Sequence, residues 1–131
     1  MTITLTQAEA AINAAKGRAV ELGVPMSIAV VDAGGHLVAF ARQDDANLVS
    51  LDIAIGKAYT SAVMRMPTAD ITELVQPGAP LYNLAIANTS RPLVTFAGGH
   101  PLGHPVTGAI GISGGTVEQD DDVARAALDP R

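Results

Sequence analysis

Glycine is the residue least suited to the interior of a strand, and this 131-residue chain places seven glycines between positions 98 and 115. The run opens Gly98-Gly99-His100-Pro101 and turns at Gly103-His104. It continues Val106-Thr107-Gly108-Ala109-Ile110-Gly111-Ile112-Ser113-Gly114-Gly115. Glycine in an apolar strand forgoes side-chain packing and loses more backbone entropy than any other residue. Such a density therefore marks a place where backbone or ligand approaches closely. The segment predicts a pocket wall or a tightly packed interface, and chemistry alone supports the second reading at least as well as the first.

What surrounds the run narrows the class. Hydrophobic residues make up 48% of the chain and aromatics only 3%, with no Trp, so Ala, Val, Ile and Leu must build the core. A chain of this length supports one domain, residues 1–131, without covalent staples. Cysteine is absent, which removes disulfides, thiolate nucleophiles and Cys-based metal sites and fits a reducing compartment. No stretch approaches the roughly 18 apolar residues of a membrane span, and no basic-then-apolar signal opens the chain. The net charge is −5 with no Lys/Arg cluster, a poor surface for nucleic acid. A soluble, cytoplasmic protein without membrane or nucleic-acid partners is expected.

Periodicity predicts the elements. Thr6 and Glu9 have the spacing of a capping box. Ala8, Ile12, Ala15, Ala19 and Leu22 then form the apolar face of a helix ending at Gly23. Residues 26–31 read as a buried central strand. Asp32-Ala33-Gly34-Gly35 reads as a turn, and residues 36–42 as the returning strand of a hairpin. Asp44, Asp45 and Asn47 are cap candidates for a helix over 48–64, with a stripe of Leu48, Leu51, Ile55, Ala58 and Ala62. A short helix over 67–75 is broken by Pro77-Gly78-Ala79-Pro80, and residues 81–88 hold at most one more helical turn. Strands are expected at 93–97, 100–102 and 106–113. Thr116 and Gln119 cap a last helix with Val123, Ala124, Ala127 and Leu128 inward. The order α-β-β-α-α-β-β-β-α, with hairpin-linked strands, predicts an α+β domain with helices on an antiparallel sheet.

The chemistry-bearing residues are few. His100 and His104 are four apart, but Pro101, Gly103 and Pro105 exclude the helix that would aim both at one metal. No protein-built metal site is expected; a haem needs only one axial side chain. His104 reads as a solvated turn residue. His100, after two glycines, is either bonded to a carbonyl, or a ligand or general base titrating near neutrality. Lys57 lies in an apolar helix, where it snorkels to solvent or holds a carboxylate or propionate. Arg42 pairs with Asp44 and Asp45 or joins Lys57 in an anion pocket. Arg91 reads as structural. Ser113 lacks a G-x-S-x-G elbow, and the glycines lack G-x-G-x-x-G between strand and helix. A serine hydrolase is thereby rejected, and a dinucleotide site is not expected. The acidic run 120–122 is accounted for by the dipole of the last helix.

Several segments together resemble one family. Ile28-Ala29-Val30-Val31-Asp32-Ala33-Gly34-Gly35-His36-Leu37 is similar to its hairpin, and Arg42-Gln43-Asp44 to the R-x-D that follows. Lys57-Ala58-Tyr59-Thr60-Ser61-Ala62 resembles its helix motif. Gly98-Gly99-His100-Pro101-Leu102 resembles its GGxPi, and residues 108–115 with Gln119-Asp120 its glycine-rich last strand. This is the GlcG/HbpS-like family of haem-binding proteins, which includes the C-terminal domain of PduO-type proteins. The resemblance implies a profilin-like α+β fold with a five-stranded antiparallel sheet, homo-oligomers, and haem binding in some members. The axial ligand is not uniform across members, and this chain has no histidine on its first helix. His100 stands at the variable position of GGxPi.

Three functions follow. The first is small-molecule binding, with haem or a similar carboxylated ligand leading. Arg42 and Lys57 would hold carboxylates, Gly98, Gly99 and Gly114 would let the ligand approach, and His100 would be axial ligand or polar contact. The second is a small cofactor-independent isomerase or lyase of a catabolic operon, with His100 as catalytic acid/base. The third is a non-catalytic oligomeric accessory protein.

Overall fold

The computed structural model describes residues 1–87 and 90–128. Helix α1 (Leu5–Leu22) precedes strands β1 (Ser27–Asp32) and β2 (Leu37–Arg42) and helix α2 (Ser50–Met64). Two 3-10 turns (Thr68–Asp70 and Thr72–Val75) and a single turn, α3 (Leu84–Ala87), lead to β3 (Gly99–Leu102), β4 (Gly108–Ser113) and α4 (Val117–Ala126). The strands form one antiparallel sheet in the order β2-β1-β4-β3. No described helix is long and apolar enough to cross a membrane.

The α+β arrangement is as expected, but the described residues form four strands rather than five. Residues 93–97 do not pair as a strand, despite their β-prone composition. Side chains of the helical layer take their backbone groups instead. The Val94 amide donates to Thr60 Oγ1 at 2.9 Å, and the Thr95 carbonyl accepts from Thr72 Oγ1 at 2.7 Å. A backbone satisfied in this way has no need of a ladder.

Helix α1 begins earlier than the Thr6–Glu9 spacing predicts. The capping box is Thr4 with Gln7: the Gln7 amide donates to Thr4 Oγ1 and the Thr4 amide to Gln7 Oε1. Ile3, buried and bonded through its amide to the Thr107 carbonyl at 2.9 Å, pins the chain just before the cap. Thr116 and Gln119 form the expected box on α4. Leu128 is not inward as expected but 44% exposed.

Successive side chains of a strand point to opposite faces, so the sheet has two cores. Ile28, Val30, Ile110 and Ile112 meet α1 and α4 with Met26 and Val123. On the opposite face Ala29, Val31 and Ala109 meet Ala54, Ala58 and Ala62 of α2. Gly111 lies in that second contact, where a Cβ would run into the Ala54 carbonyl and the Ala58 amide. The close approach also resets the predicted stripe of α2. Leu48 is exposed and Leu51 and Ile55 are only half-buried, whereas Ser50, Ala54, Lys57, Ala58, Ser61 and Ala62 are buried. Lys57 apart, only small side chains fit where the helix lies on the sheet. Asn47 does serve the start of α2, its Oδ1 accepting from the Ser50 amide at 2.9 Å.

Candidate functional site

Lys57 does not snorkel. Its side chain is fully buried, and Nζ donates to the Asp120 carboxylate and to the Ile112 carbonyl, both at 2.8 Å. The Phe96 ring centroid lies 5.1 Å from Nζ. Asp120, buried in the first turn of α4, accepts at its other oxygen from the Gly115 amide at 2.9 Å. The acidic residue explained above by the helix dipole therefore carries a buried ion pair. Burial pulls the Lys57 amine below its usual value and pushes the Asp120 carboxyl up; the attraction of each for the other opposes both shifts.

Gly98 closes this centre. Its φ of +126° suits glycine, and a Cβ there would lie 2.6 Å from Lys57 Nζ and 2.7 Å from the Ile112 carbonyl oxygen. The space beside the other selected glycines is also filled by the protein: the Lys57 carbonyl and Thr68 at Gly99, the Pro25 carbonyl and Met26 at Gly114. The space beside these glycines is thus an internal packing contact rather than open ground for a ligand. Arg42 ends the edge strand β2, exposed; it makes no ion pair with Asp44 or Asp45 among the described residues.

His100 lies on β3 opposite Ile110, facing α4. Its side chain is 12% exposed, and Nε2 stands 4.0 Å from Asp121 Oδ1. Both atoms are closed to solvent and neither has a hydrogen-bond partner in the protein. Asp121 Oδ2 accepts from Arg125 Nε at 2.7 Å, which holds the carboxylate in place. Burial lowers the pKa of His100 most; Asp121 and Asp70 raise it and Arg125 lowers it. The imidazole is thereby kept neutral at pH 7, a state suited to accepting a proton. Its Nε2 is not presented to an iron outside the protein.

The other histidines differ. His104 is exposed, and no hydrogen bond or ion pair orients it among the described residues. His36, to which the sequence alone assigns no role, is 77% exposed, and its Nδ1 lies 3.1 Å from Asp32 Oδ1. Asp120 and Asp121 were also missed as partners. Their distance in sequence from Lys57 and His100 hides the pairing, although Gln119-Asp120 stands within the motif that carries the family resemblance. No group of three His, Asp or Glu among the described residues is arranged to hold a metal ion. An open groove of about 420 Å3 between α1 and β2, lined by Leu5, Ile12, Lys16, Val38 and Phe40 among others, contains none of the selected residues.

Residues 3–129 match the family described as haem degrading protein HbpS-like. The chain is 48% identical over 130 residues to an uncharacterized 15.0 kDa protein in the dhaT-dhaS intergenic region of Citrobacter freundii, covering 98% of this chain and 91% of that one. Among solved structures it is similar to protein ORFY of Klebsiella pneumoniae, with a TM-score of 0.94 and 41% identity over 98% of this chain and 90% of that one. It is also similar to a PduOC:heme complex, with a TM-score of 0.92 and 38% identity over 98% of this chain and 94% of that one.

Proposed function

The chain belongs to the HbpS-like family, and from that premise we propose that residues 1–131 form a single profilin-like, haem-binding domain acting in the cytoplasm as a homo-oligomer. The observation that carries the reading is the likeness of nearly the whole chain to a protein crystallised with haem. The residues present fit a haem held at the surface, not one enclosed in the fold. Lys57 is spent on Asp120, and the space beside Gly98, Gly99 and Gly114 is filled. Exposed imidazoles and exposed cations, Arg42 among them, remain for an iron and for propionates. When bound, haem would supply iron-centred ligand and redox chemistry. Leu48, Val49 and Ile86, which are 78%, 66% and 72% exposed, are apolar side chains that self-association would cover.

The test is a hemin titration of the purified protein followed in the Soret region. A saturable shift at a fixed stoichiometry per protomer is expected, and a spectrum equal to the sum of free hemin and protein would overturn the reading. Light scattering behind size exclusion tests the oligomer, which a monomer mass at micromolar concentration would refute.

A second reading, a small isomerase or lyase using His100 as acid/base, is not favoured by the geometry, because Nε2 is closed to solvent and so to a substrate as much as to an iron. It would make His100 a base first and an acid only after taking a proton. Proton exchange at an acidic C–H of small hydroxy or oxo acids, measured with wild type and His100→Gln, is its assay. Exchange equal to buffer alone would sink it.

A further inference from the structure

The turn between β1 and β2 presents an imidazole in an unusually determined state. Asp32, the last residue of β1, takes three donors on one oxygen: the Gly34 amide at 2.9 Å, the His36 amide at 2.9 Å and His36 Nδ1 at 3.1 Å. The His36 carbonyl accepts from the Asp32 amide at 2.8 Å, and the Gly35 amide donates to the Asp32 carbonyl at 3.0 Å. Backbone and side chain of His36 are therefore fixed by one residue. An oxygen that receives two backbone amides is held as a carboxylate acceptor.

A carboxylate can only accept, so the shared proton of a neutral imidazole belongs on Nδ1 and the lone pair on Nε2. Nε2 is the nitrogen turned from Asp32, on a side chain 77% exposed. A histidine that gives its other N–H to a carboxylate is the usual arrangement behind a metal-bound imidazole, because the carboxylate fixes the tautomer and raises ligand basicity. The flank of the turn suits a porphyrin. The Tyr59 ring and Val63 pack where Gly35 lacks a Cβ. The Arg91 guanidinium lies 3.7 Å from the centroid of the Tyr59 ring. Val63 and Leu37 are 41% and 50% exposed. Apolar surface and positive charge thus flank the turn that carries the open nitrogen. His100 offers a closed nitrogen, and His104 has no orienting carboxylate among the described residues.

We infer that His36 is the axial ligand through which this protein holds haem iron, with Asp32 as its positioning residue. The inference rests on the haem-binding reading above and names its iron donor. Hemin titrations of the whole protein with His36→Ala, Asp32→Asn, His100→Gln and His104→Ala separate the two. His36→Ala should lose the wild-type Soret position and bind at least about tenfold more weakly. Asp32→Asn should keep the ligand but weaken binding about 10-fold, the low end for loss of a supporting carboxylate. His100→Gln and His104→Ala should match wild type. His36 is exposed in a turn, so thermal melts should show His36→Ala folded. An independent check needs no haem: long-range 1H–15N NMR of the free protein should show His36 protonated on Nδ1 near pH 8. A wild-type Soret shift that His36→Ala reproduces would overturn this inference and leave haem binding standing, as would a proton found on Nε2. No shift for wild type would overturn both.

Discussion

One sheet carries two very different contacts. Towards α1 and α4 it presents Ile28, Val30, Ile110 and Ile112, with Met26 and Val123 filling between them. Towards α2 it presents Ala29, Val31, Ala109 and Gly111, met by Ala54, Ala58 and Ala62. The first face is stabilised by bulk, each branched side chain withdrawing apolar area from water. The second forgoes bulk and gains proximity. Helix α2 lies close enough for its backbone to fill the space of a missing Cβ, and polar groups are sealed in with it. Lys57 with Asp120, and Ser27 with Ser50 at 2.7 Å, are buried at or beside this contact. The first face should be hurt by subtraction and the second by addition.

The largest effect is expected from Gly111→Val. Its Cβ would meet backbone atoms of α2, which cannot turn aside as a side chain can. The cost should exceed the usual range of about 1–3 kcal/mol for added bulk, and the variant should show no cooperative thermal transition. On the other face Ile112→Ala should leave a cavity and cost about 2–5 kcal/mol, whereas Ala54→Gly on α2 should cost only about 1 kcal/mol. Urea titrations would measure both. Similar losses for Ile112→Ala and Ala54→Gly would erase the proposed difference between the faces.

Next comes the ion pair. Lys57→Met strands the Asp120 carboxylate in the interior and should cost about 3–5 kcal/mol at pH 7. Lys57→Met with Asp120→Leu removes both charges and should recover most of that loss. The single variant has a distinctive pH signature. Burial already pushes the Asp120 pKa up, and without Lys57 nothing but the Gly115 amide opposes it. A folded-state pKa above the unfolded value adds stability at low pH and loses it as pH rises through the folded value. Lys57→Met should therefore recover relative to wild type as pH falls from 7 toward 4. A deficit independent of pH would mean the lost alkyl packing matters rather than the stranded charge.

How much of this was legible depends on the distance over which each signal acts. The β1–β2 hairpin follows from Asp32-Ala33-Gly34-Gly35, and the α4 cap from Thr116 and Gln119, because both signals act within a few residues. The glycine run announced a close contact, but not whether protein or a ligand fills it; at Gly98, Gly99 and Gly111 the answer lay in α2. There the buried spacing Ser50, Ala54, Lys57, Ala58, Ser61 was masked by the stronger hydrophobicity of Leu48, Leu51 and Ile55. Residues 93–97 read as a strand because composition does not reveal that Thr60 and Thr72 take their backbone groups. Lys57–Asp120 and His100–Asp121 join segments far apart in sequence, and neither partner's neighbours hint at the other. His36–Asp32 is a local pair that spacing alone could have found, since a four-residue turn brings an aspartate and a histidine together.

The smallest effect concerns His100, on the bulky face. Burial holds its pKa below the usual 6.5, with Asp121 and Asp70 opposing and Arg125 assisting. The unfolded chain therefore takes up a proton there at a higher pH than the folded protein does. Stability from this group is fully present above about the unfolded value and is lost as pH falls through the folded value. Wild type should weaken from pH 7 to pH 5 more than His100→Gln, which has nothing to titrate at this position. Taking the difference between the two proteins removes the contributions of Asp32, Asp122 and Asp120, which titrate in both. Urea midpoints at half-unit steps of pH would resolve it. Parallel curves would mean that Asp121 closes the 4.0 Å gap once the imidazole is charged and restores what burial takes away. The bulky face would then hold a compensated ion pair of its own, and the contrast between the two faces would rest on packing alone.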